Sequence, residues 1–183
     1  MKALVVLAEG FEELEAAAPI TILRRAQVEV TVAGLAAGPL KGARGITFVP
    51  DTTLDAVRDQ PFDLVVLPGG MPGTTNLKES PLVERVVRAA VERGAFVAAI
   101  CAAPTVLAKL GLLAGKRATS HSSVRDELAK AGVTLVTNVA VVQDGKFVTS
   151  RGAGTAVPFG LHLVRILLGE PKAQEVARGM MRA

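Results

Sequence analysis

The chain has 183 residues, 50% of them hydrophobic and 21% charged, a globular composition that excludes a disordered or collagen-like chain. Its formal charge is +4, but the basic residues are scattered and only 3% of residues are aromatic. That leaves neither the basic stripe nor the stacking platform of a nucleic-acid binder.

A single cysteine, Cys101, excludes an intramolecular disulfide and any cysteine cluster for zinc or iron–sulfur, and a lone thiol fits a reducing cytoplasm. The apolar run 3–8 ends at Glu9, too short for a signal-peptide core, and the longest apolar stretch, 96–108, contains Pro104. It falls short of the ~18 residues of a membrane span. A cytoplasmic protein without nucleic-acid or membrane partners is expected.

Residues 4–7 are apolar without alternation, the pattern of a strand buried on both faces of a parallel sheet. A helix-period segment follows over 12–26. Residues 28–33 and 46–49, separated by Gly38-Pro39 and a glycine-flanked turn at 42–45, read as a hairpin. A second doubly buried strand is predicted over 64–67, a helix over 81–93 and a third strand over 96–100. Ser80 as N-cap, Pro81 at the first helical position and Gly94 as the stop punctuate that helix. Helices over 102–112 and 124–131 come next, then a hairpin of 139–142 and 147–150 around Asp144-Gly145, then helices over 156–168 and 173–181. Repeated strand–helix alternation means βαβ units. The expected architecture is an α/β, doubly wound, mostly parallel sheet sandwiched by helices, with β-hairpin additions. No repeat or linker divides it, so 1–183 reads as one domain. Ligands of such sheets bind beyond the carboxyl ends of the strands.

Cys101 stands where the buried run 96–100 turns into a helix, the logic of a nucleophile elbow, with small Ala102 and Ala103 permitting the sharp turn. The helix N-terminus should favour the thiolate and bring the thiol pKa below about 8.5. The alternative is a small, inert, buried cysteine. Gly69 and Gly70 follow another buried strand at the same edge, and are either bare amides of an oxyanion site or a plain turn. Neither a dinucleotide fingerprint nor a phosphate loop opens a helix, so no nucleotide cofactor is indicated. Glu12 and Glu13 are explained by the helix macrodipole. Glu15, amid Leu14, Ala16, Ala17 and Ala18, can turn toward the sheet edge, where burial would raise its pKa and keep it protonated. His162 lies among Leu161, Leu163 and Val164 and reads as a packing residue; His121, between Ser120 and Ser122, is the better proton carrier.

Four segments together, 3–15, 65–70, 98–104 and 149–155, resemble the ThiJ/PfpI superfamily and, within it, the DJ-1 branch, nearly end to end. The resemblance implies a flavodoxin-like fold, a homodimer, and a reactive Cys101 whose thiolate is held by the protonated carboxyl of Glu15. It places His121 where the branch has a nearby histidine. Gly69, Gly70 and Ala102 match positions whose amides line the nucleophile pocket, and Arg25 and Arg44 match basic residues near the dimer contact. The protease-like branch has histidine directly after its nucleophile; here Ala102 stands there, which disfavours peptidase activity. Val49 stands where some relatives carry a second cysteine.

The activity so implied is that of a cofactor-free, metal-free glyoxalase or protein deglycase acting on methylglyoxal-type dicarbonyls or their early protein adducts. Cys101 would be the nucleophile, the amides of Gly69, Gly70 and Ala102 the oxyanion site, and Glu15 and His121 the proton carriers. The competing reading is an oxidative-stress sensor or chaperone in which Cys101 is oxidised to sulfinic acid.

Overall fold

The computed structural model describes residues 1–182. Its strands are β1 (Lys2–Leu7), β2 (Glu29–Gly34), β3 (Leu40–Lys41), β4 (Thr47–Phe48), β5 (Thr52–Thr53), β6 (Leu64–Leu67), β7 (Phe96–Ile100), β8 (Arg117–Ala118), β9 (Thr134–Leu135), β10 (Val141–Asp144) and β11 (Phe147–Ser150). Its helices are α1 (Glu13–Arg25), α2 (Leu54–Val57), α3 (Gly73–Glu79), α4 (Pro81–Glu92), α5 (Pro104–Lys109), α6 (Arg125–Lys130), α7 (Ala156–Leu168) and α8 (Glu170–Gly179).

Seven strands form one sheet in the order β10-β11-β7-β6-β1-β2-β5. All its neighbours are parallel except the β10–β11 hairpin at one edge. The chain winds outward from β1 in one direction and from β6 in the other, so the switch in winding falls between them. This is the doubly wound arrangement expected from the strand patterns, and the flavodoxin-like fold that the family resemblance implies.

The unbroken apolar strands follow from burial on both faces. Leu4 and Val6 pack with Val83, Val86, Val87, Val106 and Leu107 of α4 and α5, while Ala3, Val5 and Leu7 pack with Ile20, Leu23, Phe159 and Leu163 of α1 and α7. A polar residue at any of these positions would lose its water on either face. The helix α4 begins as its sequence signals: the Ser80 side chain accepts from the Val83 N–H at 3.3 Å and Pro81 opens the first turn, a cap worth about 1 kcal/mol.

The first expected hairpin is corrected. Residues 29–34 do not fold back on 46–49; β2 lies parallel to β1 and β5, and the antiparallel pair is the two-residue ribbon β3–β4. The parallel sheet takes β2 because its Val32 and Ala33 are buried, whereas a ribbon of two residues per strand buries little beyond Leu40. Other boundaries move as well, with α5 ending at Lys109 and α8 at Gly179. Helix α5 starts at Pro104, not 102, because residues 101–103 form the elbow turn; α8 starts at Glu170; and the last hairpin runs from Val141 with Asp144 opposite Phe147. The short elements α2, α3, β8 and β9 carry no periodicity long enough to read from sequence. Among the described residues no helix is long and apolar enough to cross a membrane.

Candidate active site

Four adjacent strands, β11, β7, β6 and β1, deliver the site from their carboxyl ends, as open α/β sheets require. Cys101 follows β7 with φ +66°, a left-handed conformation unusual for a residue with a side chain that costs about 1–2 kcal/mol. Neighbouring segments hold it there. Its N–H donates to the Ser150 carbonyl at 3.0 Å at the end of β11, and its carbonyl accepts from the His121 N–H at 2.8 Å. The turn thus aims the thiol above the sheet edge instead of into the core, and the side chain stays part-exposed.

Glu15 arrives from α1. The Glu12 carboxylate caps that helix by accepting the Glu15 N–H at 2.9 Å, which fixes the first turn. The Glu15 side chain is only 1% exposed, and its Oε2 accepts the Gly69 N–H at 2.9 Å. The Cys101 thiol and the backbone of Ala153 face the carboxyl as well, and both pull its pKa down. Burial, before any other influence, raises it from the ordinary 4.5 to about 7.

The thiol is corrected relative to its sequence expectation. Burial first, then the charge and hydrogen bond of Glu15, push Cys101 up from 9.0 to about 12, against a smaller downward pull from the amides of Ala102 and Gly70. The amides at the helix start do face the sulfur, but loss of water and a neighbouring carboxylate outweigh them. Because each group bears on the other, they titrate as a pair: one proton leaves near 7 and the second is held to about 12. Above about 7 the pair therefore holds one proton, on the sulfur, beside a carboxylate.

A second correction concerns Gly69. Its amide is consumed by Glu15, so of the three expected oxyanion amides only those of Gly70 and Ala102 face the sulfur. Gly69 instead answers a packing demand. A Cβ there would lie 2.6 Å from Glu15 Oε2, 2.7 Å from Cys101 Cβ and 2.9 Å from the Ile100 carbonyl, so only a glycine lets carboxyl and thiol meet. Gly70 has φ +91°, with backbone of residues 10–12 directly against it, and this turns its N–H toward the sulfur.

His121 is exposed and close by. Its Nδ1 lies 2.8 Å from Ser123 Oγ and accepts the Ser123 N–H at 3.3 Å, which leaves Nε2 as the protonated nitrogen. The three candidates converge on Gly152: a Cβ built there would be 3.8 Å from Glu15 Oε1, 3.8 Å from His121 Cδ2 and 3.9 Å from Cys101 Sγ. Beside them opens a cleft of about 350 Å³ lined by His121, Arg151 and the backbone turn Gly152–Thr155. This 151–155 turn was not singled out as a site by residue type. Its signal was position, a glycine-rich loop after a strand at the same sheet edge as Cys101. It is braced by Thr155, whose Oγ1 meets Ser150 Oγ at 2.7 Å and accepts the Gly152 N–H at 3.1 Å.

Arg25 and Arg44 are not brought to the thiol. Arg25 is exposed at the end of α1, and Arg44 is exposed with its backbone N–H donating to Glu13 Oε1 at 2.7 Å. That bond corrects the reading of Glu13 as a macrodipole residue. It is 4% exposed, and it organises the 42–46 loop by accepting from Arg44 and Ile46. His162 is part-buried on α7; Arg165 donates to its Nδ1 at 2.7 Å and its Nε2 meets Gln143 Oε1 at 2.9 Å. Burial lowers its pKa to about 4, so it is a neutral bridge between α7 and β10.

A doubly wound α/β chain whose elbow cysteine stands beside a buried carboxyl defines a class of thiol-centred proteins, and comparison with known proteins specifies it further. The sequence profile of the DJ-1/PfpI family matches residues 1–166, and the chain belongs to that family. It is 46% identical over 182 residues to Protein dj-1beta of Drosophila melanogaster, covering 99% of this chain and 97% of that one. It is 35% identical over 175 residues to the glutathione-independent glyoxalase DJR-1.2 of Caenorhabditis elegans, covering 96% and 92%. The crystal structure of Drosophila melanogaster DJ-1beta superposes with a TM-score of 0.96 at 45% identity, covering 100% of this chain and 98% of that one.

Proposed function

We propose that the chain is a cofactor-free, cysteine-dependent glyoxalase or protein deglycase acting on methylglyoxal-type dicarbonyls or their early protein adducts. The observation that carries this is the convergence of the Cys101 thiol, the Glu15 carboxyl and His121 around Gly152, which with His121 lines the adjoining cleft. The relative named as a glutathione-independent glyoxalase supports the same chemistry.

A raised thiol pKa suits attack assisted by a base. Glu15 takes the thiol proton as sulfur bonds to the aldehyde carbon, so no free thiolate need accumulate beforehand. The aldehyde oxygen gains charge in the hemithioacetal, and the amides of Gly70 and Ala102 are the donors available to it. The proton on the former aldehyde carbon is then removed and one is returned to the neighbouring carbon through an enediol, with Glu15 and His121 as carriers. This leaves a Cys101 thioester of the hydroxy acid. Water cleaves it, releasing lactate and restoring the thiol. Methylglyoxal plus water equals lactic acid, so no cofactor, oxidant or reductant enters the balance. Amine adducts that open to the same aldehyde enter at the first step.

The competing use of the thiol, as an oxidation sensor, draws on the same Cys101–Glu15 pair, but turnover alone gives His121 a task. The chain is read as one domain, a cytoplasmic homodimer with Arg25 and Arg44 near the contact. The lone cysteine, free of any disulfide, supports the compartment. The enediol route is tested by running the reaction in heavy water: lactate should carry solvent deuterium on its hydroxyl-bearing carbon. Full retention of the substrate's hydrogen there would mean a hydride shift or a single shielded base returning the same proton, and would overturn the two-carrier shuttle of Glu15 and His121.

A further inference from the structure

The end of the sheet remote from Cys101 carries a groove of about 560 Å³ that crosses the amino ends of β1, β6, β7 and β11, a volume in the range of small-ligand sites. Its floor is apolar. Phe62 and Leu167 are each 8% exposed there, and Phe96 lies half-buried beside them.

The rim is cationic and unevenly paired. Asp63, the acid in the lining, already accepts the Lys2 N–H at 2.7 Å, and the Lys2 side chain pairs with Glu29 at 3.4 Å. Two other side-chain cations are left. Arg93 reaches only the Gln60 carbonyl, at 3.5 Å, and Lys146 sits with its Nζ 4.0 Å from the centroid of the Phe96 ring. Neither makes an ion pair among the described residues. An ammonium resting on an aromatic face keeps its attraction for an anion while marking where an apolar body would lie against the ring.

We propose that this groove binds an amphipathic organic anion, its single carboxylate or sulfonate head held by Lys146 and Arg93 and its aryl or medium-length alkyl body lying on Phe62, Phe96 and Leu167. Charge complementarity selects the head, since Lys146 and Arg93 outnumber Asp63, the one carboxylate in the lining, which accepts a neutral N–H and keeps its charge. The apolar floor selects the body. The site is independent of the reading of Cys101.

The test is a fluorescence titration of the full chain with anilinonaphthalene sulfonate, with octanoate and octanamide as competitors. The expected result is one saturable site, displaced by octanoate and not by octanamide, weakening as salt is added. The double variant Arg93→Gln/Lys146→Gln, both positions exposed, should fold as before and bind about tenfold or more weakly, as expected on losing two charge-assisted contacts. Cys101→Ser should bind unchanged. Absence of saturable binding, equal affinity in the double variant, or loss of binding in Cys101→Ser would overturn the proposal. So would a change of oligomeric state in the double variant, which would assign the groove to a second copy of the chain.

Discussion

The carboxyl of Glu15 and the thiol of Cys101 act on each other although they stand 86 positions apart in sequence, and they do so unequally: Glu15 strengthens the thiol's hold on its proton, whereas Cys101 weakens the carboxyl's, which burial strengthens. The pair, not the cysteine alone, is the titrating unit at the centre of the site. With one proton released near 7, the mono-protonated pair is the form that can attack an aldehyde. The pH dependence of kcat/KM for methylglyoxal should therefore rise through about 7. Glu15→Gln should remove that limb and lower kcat/KM by about a hundredfold or more, the usual contribution of a positioned acid–base group. An unchanged profile in Glu15→Gln would assign the limb elsewhere.

The same shift bears on stability. A carboxyl raised from 4.5 to about 7 by folding binds a proton more tightly in the native state. Its contribution is fully present below 4.5 and is lost as pH rises through about 7. Thermal unfolding of wild type and Glu15→Gln, compared from pH 4 to 8, should show wild type losing ground to the variant as pH rises, by at most about 3 kcal/mol. A difference independent of pH would contradict the buried, protonated carboxyl.

Gly69→Ala inserts a methyl group 2.6 Å from Glu15 Oε2 and 2.7 Å from Cys101 Cβ. Overpacking of this kind costs about 1–3 kcal/mol. The cost should fall on the site, with a lower melting temperature and a thiol that no longer reports the transition near 7 in an alkylation pH profile. Gly179→Ala in α8, where nothing lies within 4 Å, should be neutral or slightly stabilising.

Ser123 fixes the tautomer of His121 through Nδ1. His121→Gln should lower kcat by about a hundredfold with little change in KM. Ser123→Ala, which keeps the backbone N–H contact, should produce a smaller loss of the same kind. A rise in KM alone for both variants would make His121 a binding residue instead of a proton carrier.

The legible parts of this fold are those that local chemistry decides. Strands β1, β6 and β7 are buried on both faces and spell it in unbroken apolar runs; Ser80-Pro81 spells a helix start. The elbow at Cys101 could be placed from the strand before it and the small residues after it. What could not be read depends on partners distant in the chain. The Gly69 amide belongs to a carboxylate 54 residues away. The thiol pKa is set by burial and by Glu15, not by the nearby helix start. Glu13 reads as a surface acid until the 42–46 loop folds over it. The partner of β2 is not legible because turn residues mark a reversal without saying which strands it joins.

The central claim is turnover at Cys101, and it is tested most directly by incubating the folded chain and its Cys101→Ser variant with methylglyoxal in the absence of glutathione and quantifying lactate over time. The account predicts many equivalents of lactate per chain from the wild type and none above background from Cys101→Ser. Equal lactate from both proteins, or loss of methylglyoxal without lactate, would contradict it.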